Sequence, residues 1–429
     1  MKRRPVLGAI AALSVLTIGL SACSSGGEKA GASSTSTDPN KKVTLTLATF
    51  NEFGYEDLIK EYMAAHPNVT IEHKKAATSN EARDNMNTRL AAGSGLADIE
   101  AIEVDWLPEL LQYPDKFVDL NSSDVKDRWL PWKAKQATTA DGKLIGYGTD
   151  IGPEAICYRS DLFAKAGLPT DRAEVAKMLG TTWDSYFEAG RAFAKKSDVP
   201  WMESSGAIFQ AMVNQVQNAY EKDDGTVIAT ENPEVRKLYD TVLQASTDGL
   251  SAHLAQWSDD WTGSFQRDGF ATMVCPGWML GVIEGNAANV KGWDIADTFP
   301  GGGGNWGGSF LTVPAQSKNP AEAKALAAWL TAPEQQIKAF KAKGTFPSQV
   351  AALASPELAA VVNPFFNNAP TGTILANRAK AVTVVPFKGV KYSGINDAIQ
   401  KAISRVDIDK TDDAAASWEK FVKDVEALG

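Results

Sequence analysis

Carboxylates and indoles gather where the sequence reads as strand ends and loops. The short apolar run at residues 98–102 has strand character, and Glu103, Asp105 and Trp106 follow it directly. Ligands of open α/β sheets bind just beyond the carboxyl ends of strands. Asp105 as a helix N-cap with Trp106 in the core is the competing reading. A second group is FQRDGFATMVCPGWMLG, residues 265–281. Its strand stops at Cys275-Pro276-Gly277, a break signal, and delivers Trp278 to a new apolar run. That pattern suits a crossing between two bodies, with Trp278 near a cleft. The third group is GGGGNWGG, residues 301–308, which matches G-x-G-x-x-G at Gly302, Gly304 and Gly307. A phosphate loop must open a helix, but SFLTVP follows and reads as a strand. A glycine loop also lets the backbone approach a ligand closely. Trp306 has no apolar neighbours in that loop, so it is either a cleft platform or an indole folded back over a core. Indoles supply flat apolar faces and carboxylates supply charge-assisted hydrogen bonds.

The elements that position these groups are legible from periodicity. Residues 43–49 alternate Val43, Leu45 and Leu47 with threonines, the period of a strand. The loop Phe50-Asn51-Glu52-Phe53-Gly54 comes next. A helix with Leu58, Ile59, Tyr62 and Met63 on one face then runs to Pro67, and residues 69–73 alternate again. This strand–helix–strand opening is that of an α/β lobe. Residues 81–92 form a polar helix closed by Gly93. Residues 154–158 are a strand containing Cys157, and residues 182–195 an amphipathic helix in which Gly190 permits close packing. Asn232-Pro233 and Asn319-Pro320 open further helices, and two more fill residues 394–406 and 411–428.

Length and composition narrow the class. Single cores rarely exceed about 250–300 residues, so 429 residues imply two lobes. Lys2-Arg3-Arg4, an apolar stretch at residues 6–20 and Leu20-Ser21-Ala22-Cys23 read as a lipoprotein signal peptide, residues 1–22, with a lipobox. An ordinary secretory signal with a chance cysteine is the alternative. Cys23 is then the lipid attachment site, and the Ser/Gly/Thr-rich stretch that follows makes residues 23–41 a flexible tether. Cleavage removes three of 43 basic side chains and none of the 52 acidic ones, moving the net charge from -9 to -12. Such a chain is a poor partner for nucleic acid. With Cys23 modified, Cys157 and Cys275 remain, either as one disulfide or as two buried thiols. Three histidines and the lack of a Cys/His cluster argue against a metal, and no cofactor is expected.

The chain resembles the family 1 extracellular solute-binding proteins of bacterial ABC sugar importers, the group that includes maltose-binding protein. The resemblance rests on AICYRSDLFAKAGLP from Ala155, TTWDSYFEAGRAFA from Thr181, FQRDGFATMVCPGWM from Phe265, GGSFLTVPAQSKNPAEAKALAAWL from Gly307 and GTFPSQVAAL from Gly344. It covers the chain from about Val43 onward and looks most like Gram-positive lipoproteins that bind cellobiose and related oligosaccharides. It implies an α/β, two-lobe periplasmic-binding-protein fold, type II-like, with a three-crossing hinge near Pro153, Pro276 and Ala332. Lobe one would be residues 43–153 plus 278–330, and lobe two residues 156–275 plus 334–429. It also places Cys157 and Cys275 on neighbouring hinge-proximal strands, where a disulfide is expected. Function follows as capture of a cellobiose-like oligosaccharide between the lobes and delivery to the transmembrane subunits of an ABC permease. The protein would be lipid-anchored on the extracellular face of the cell membrane and would not be an enzyme. A sugar stacks its C–H faces on aromatic rings and pairs its hydroxyls with carboxylates and amides. The substrate-binding candidates are therefore Asn51, Phe53, Asp105, Trp106, Asp150, Glu203, Trp278, Asn305 and Trp306. Asp150 has the alternative of a turn residue, and Arg378 is a further contact candidate from lobe two, for which a solvated helix residue is the favoured reading. The competing functions are an exported glycoside hydrolase, which needs a carboxylate pair from Glu103, Asp150 or Glu203, and a binder of a non-sugar solute.

Overall fold

The computed structural model describes residues 41–429. The expected signal peptide, Cys23 and almost all of the expected tether lie outside the described residues. Ten strands occur: β1 (Val43–Phe50), β2 (Val69–Ala76), β3 (Ile99–Glu103), β4 (Tyr147–Gly148), β5 (Asp150–Ile151), β6 (Glu154–Arg159), β7 (Thr272–Pro276), β8 (Trp293–Ala296), β9 (Ser309–Thr312) and β10 (Phe346–Pro347). They form a five-stranded sheet in the order β2-β1-β3-β9-β4, a three-stranded sheet in the order β7-β6-β8, and a ribbon of β5 and β10. In the first sheet β1 runs parallel to β2 and β3, whereas β9 is antiparallel to β3 and β4. Val43, Leu45 and Leu47 alternate inward from β1, as their period requires.

The smaller sheet is buried on both faces. Ile156 and Tyr158 of β6 and Val274 of β7 join a cluster built with the helices Trp183–Ala194, Ser205–Val213, Pro233–Thr247 and Tyr392–Asp407. The alternate residues Ala155, Cys157, Met273 and Cys275 join a separate cluster with the Met279–Asn286 helix, Phe340 and Phe346. Cys157 and Cys275 form a disulfide on that second face, between β6 and β7. Gly190 does admit a neighbour: a Cβ there would lie 2.7 Å from the ring of Trp201. Thr182 caps the same helix through Ser185 in a reciprocal capping box. Asn232 caps its helix through Glu234 N, but Asn319 makes no side-chain cap.

Strand pairing revises the expected lobe boundaries. β8 was expected in lobe one with residues 278–330, but it pairs antiparallel with β6 in the smaller sheet. The chain therefore does not leave that sheet's lobe at Pro276. It leaves through the glycine loop, where Pro153 bridges Asn305, and enters the larger sheet at β9. The Pro333–Lys343 helix packs Ile337 and Phe340 into the smaller sheet's second cluster beside the Met279–Asn286 helix while also touching the helices Glu56–Ala65 and Pro320–Leu330, and β10 then pairs with β5.

Candidate functional site

The ends of β1 and β3, the ribbon residue Asp150 and the glycine loop converge on one cleft, about 1020 Å³ of non-protein space that includes its opening to solvent. Asn51, Phe53, Asp105, Trp106, Asp150, Trp278 and Trp306 line it. Asn305 and Glu203 do not. Asn305 instead clips the loop, its Oδ1 accepting from Gly152 N at 2.9 Å and its Nδ2 donating to the Gly307 carbonyl at 2.9 Å. Glu203 is fully buried and accepts hydrogen bonds from Gln256 Nε2, at 3.0 Å, and from Trp261 Nε1.

Backbone contact sets the aromatic wall. Trp278 Nε1 donates to the Trp306 carbonyl at 2.9 Å, and the two rings meet edge to face at 5.9 Å. A Cβ at Gly152 would lie 1.8 Å from that same carbonyl, so only glycine fits there. Trp306 both lines the cleft and packs on the smaller sheet's helical cluster. Asp150, 5% exposed, accepts from Ser309 N at 2.9 Å and from Thr149 Oγ1 at 2.7 Å, so it ties ribbon to sheet while facing the cleft. Trp106 is 3% exposed and core-like, yet its Nε1 finds no partner among the described residues, nor does Asn51 Oδ1. Buried polar atoms are normally paired, and both of these residues border the cleft.

The charges of the site are mutually constrained. Asp105 forms an ion pair with Lys388, which comes from the segment before the Tyr392–Asp407 helix. Glu103 accepts from Asp105 N at 2.6 Å. Burial, reinforced by the Asp105 carboxylate, pushes the Glu103 carboxyl up to about 8. Lys133 lies below, its ammonium 3.7 Å from the Phe310 ring centre. Burial pulls it down to about 7 against the opposing pull of Asp150 and Glu103. Glu154, at the start of β6, has neither oxygen paired among the described residues, and burial raises it well above the usual carboxylate range. Of these groups, Glu103 and Asp105 line the cleft, while Lys133 and Glu154 are buried behind it.

The sequence reading missed Trp257, Ser79, Asn80 and Arg83, and also Tyr392, Ser393, Asn396 and Asp397. Residues 392, 393, 396 and 397 share a helical face, and so do 79, 80 and 83. That spacing was visible, but polar helix faces ordinarily meet solvent. Arg378 is ion-paired with Asp297 at 2.8 Å rather than solvated.

A family model described as bacterial extracellular solute-binding protein matches residues 57–366. The chain belongs to that family. A crystal structure of an extracellular solute-binding protein family 1 member is 54% identical, with a TM-score of 0.79, over 90% of this chain and 99% of that one. The ABC-transporter-associated binding protein of B. animalis subsp. lactis Bl-04, solved with β-1,6-galactobiose, shares the two-lobe fold. Its TM-score is 0.77 at 19% identity, over 91% of this chain and 97% of that one. The arabinooligosaccharide-binding protein of Halalkalibacterium halodurans is 26% identical over 232 residues, 51% of this chain and 49% of the relative. The match thus spans about half the length of that curated relative. The cleft of this solute-binding protein takes lining residues from the ends of the larger sheet, from the glycine loop and from the Tyr392–Asp407 helix.

Proposed function

We propose that this solute-binding protein captures a neutral oligosaccharide between its lobes and delivers it to the permease of an ABC importer. Acyl chains on Cys23 hold it to the outer face of the cell membrane. The observation that carries the reading is the wall of Trp257, Trp278 and Trp306 facing a cleft whose Asn51 Oδ1 and Trp106 Nε1 lack partners among the described residues. Rings take the C–H faces of a sugar, and the unpaired atoms take its hydroxyls. The solutes named for the two relatives, an arabinooligosaccharide and a galactobiose, are of this class. Asn51, Phe53, Asp105, Trp106, Asp150, Trp278 and Trp306 are the proposed contacts. Asn305 shapes the loop that carries Trp306.

A thermal-shift screen against arabino-, cello- and galacto-oligosaccharides tests this, because a ligand that binds only the native state raises the melting temperature. One oligosaccharide series is expected to shift it while its monosaccharide does so weakly, with no reducing sugar released. A shift with peptides or polyamines and none with sugars overturns the reading. Anchoring is checked separately. The full chain should partition into detergent phase when expressed in a bacterial host, and Cys23→Ser should release it to the aqueous phase.

A further inference from the structure

The aromatic wall does not end at Trp278. Trp257 stands at the mouth of the cleft, 39% exposed, its ring stacked on Trp278 at 6.1 Å with 23° between planes. Its backbone is left-handed, φ 71°. A bulky residue in that region is an outlier, held only where surrounding contacts over-determine it. Those contacts come from below. Glu203 accepts from Gln256 Nε2 at 3.0 Å and from Trp261 Nε1, so one buried carboxyl grips the chain on both sides of Trp257. Leu254 N donates to the Glu203 carbonyl at 3.1 Å. Upstream, His253 is also left-handed, φ 56°, and its Nδ1 lies 2.8 Å from the buried Asp407 carboxylate. Trp261, 1% exposed, braces the Trp257 ring at 5.1 Å. The segment is pinned at each end, and the one large ring left facing outward belongs to Trp257.

We propose that Trp257 is a carbohydrate platform at the cleft mouth, stacking on the C–H face of an outer unit of a neutral oligosaccharide, and that Glu203 is its positioning residue. The proposal rests on the oligosaccharide reading of the cleft. It gives Glu203 a part in binding without contact: the carboxyl acts through Gln256 and Trp261 on the ring between them. It also makes Trp257 a determinant of chain length, because inner units meet Trp278 and Trp306 first.

Calorimetry with arabino-, cello- and galacto-oligosaccharides of two to four units tests both parts. In the series the wild-type protein binds, Trp257→Ala should weaken the longer members roughly tenfold, the scale of one aromatic contact, and the shortest member less than twofold. Glu203→Ala should reproduce that length-dependent loss and alter the near-ultraviolet circular dichroism of the Trp257–Trp278 stack. Glu203→Gln, which keeps an acceptor, should restore most of the affinity. In a Trp257→Ala background, Glu203→Ala should cost no further affinity. Equal affinities for Trp257→Ala and wild type at every length overturn the platform. A Glu203→Ala protein that melts lower but binds normally overturns the positioning role. Failure of the wild-type protein to bind any of the sugars overturns the oligosaccharide reading itself, and the platform with it.

Discussion

At the scale of the residue, Trp306 carries the plainest prediction. It was legible because a glycine loop left it nothing nearby in sequence to pack on, and it reaches both cleft and core. Trp306→Ala should weaken oligosaccharide binding about tenfold, ~1.4 kcal/mol, in calorimetry. An unchanged dissociation constant would remove it from the site. Trp257 was not legible, because nothing in its local sequence reveals its left-handed backbone. Glu203 is a sequence candidate because carboxylates pair sugar hydroxyls, but it is buried away from the cleft lining and accepts from two donors of its own lobe. That burial has a pH consequence. It pushes the Glu203 carboxyl up to about 7 from 4.5. The folded state therefore holds a proton that the unfolded state gives up. The stability this group contributes is complete below about 4.5 and is lost as pH rises through about 7, by up to about 3 kcal/mol. Glu103 acts in the same direction, whereas Lys133, pulled down to about 7, favours the fold as pH rises. Comparison with Glu203→Gln isolates one group. In urea titrations at pH 5 and 8, the wild-type protein should lose more stability between them than the variant, and parallel losses would refute the assignment.

At the scale of the element, the strands and their periods were legible, but their partners were not. The strand at β1 and the capped helix at Trp183–Ala194 follow from local pattern. The placement of β8 does not, because a four-residue apolar run states neither its sheet nor its direction. The crossing moved from Pro276 to the glycine loop for a related reason. Pro276 ends a strand, but the Met279–Asn286 helix packs back on the same cluster, whereas the glycine loop carries Gly152 and Trp306 into contact. The disulfide thus joins two strands of one sheet rather than the two lobes. Its 118-residue separation makes it a constraint on the unfolded chain, worth about 5 kcal/mol in the loop-entropy model. Cys157→Ala with Cys275→Ala should lower the melting temperature and abolish its sensitivity to reductant. Oligosaccharide affinity should stay within twofold, since neither cysteine lines the cleft. A large loss of affinity at intact fold would mean that the bridge shapes the site.

At the scale of the whole molecule, the two lobes already touch across the cleft through polar contacts that involve no sugar. Lys388, 7% exposed at its side chain, pairs with Asp105 beyond β3 and sits 4.7 Å over the Tyr392 ring. Ser393 Oγ donates to the Asp105 carbonyl at 3.0 Å, and Arg83 lies 3.8 Å from Asp397. The segment bearing Lys388 is held to its own lobe, with Phe387 N donating to the Gln217 carbonyl at 2.7 Å and Lys391 N to Glu221 at 3.2 Å. An ion pair so placed favours the closed arrangement whatever occupies the cleft. Apparent affinity scales with the fraction of molecules already competent to bind. Lys388→Met should therefore weaken every oligosaccharide that binds by a common factor, about threefold to tenfold, and increase the radius of gyration of the sugar-free protein in solution scattering. Saturating sugar should return the variant to the wild-type radius, because contacts from both lobes to the ligand then outweigh one lost ion pair. A loss confined to one sugar series would mean that Lys388 touches ligand. Equal radii for sugar-free variant and wild type would mean that the ion pair does not govern closure.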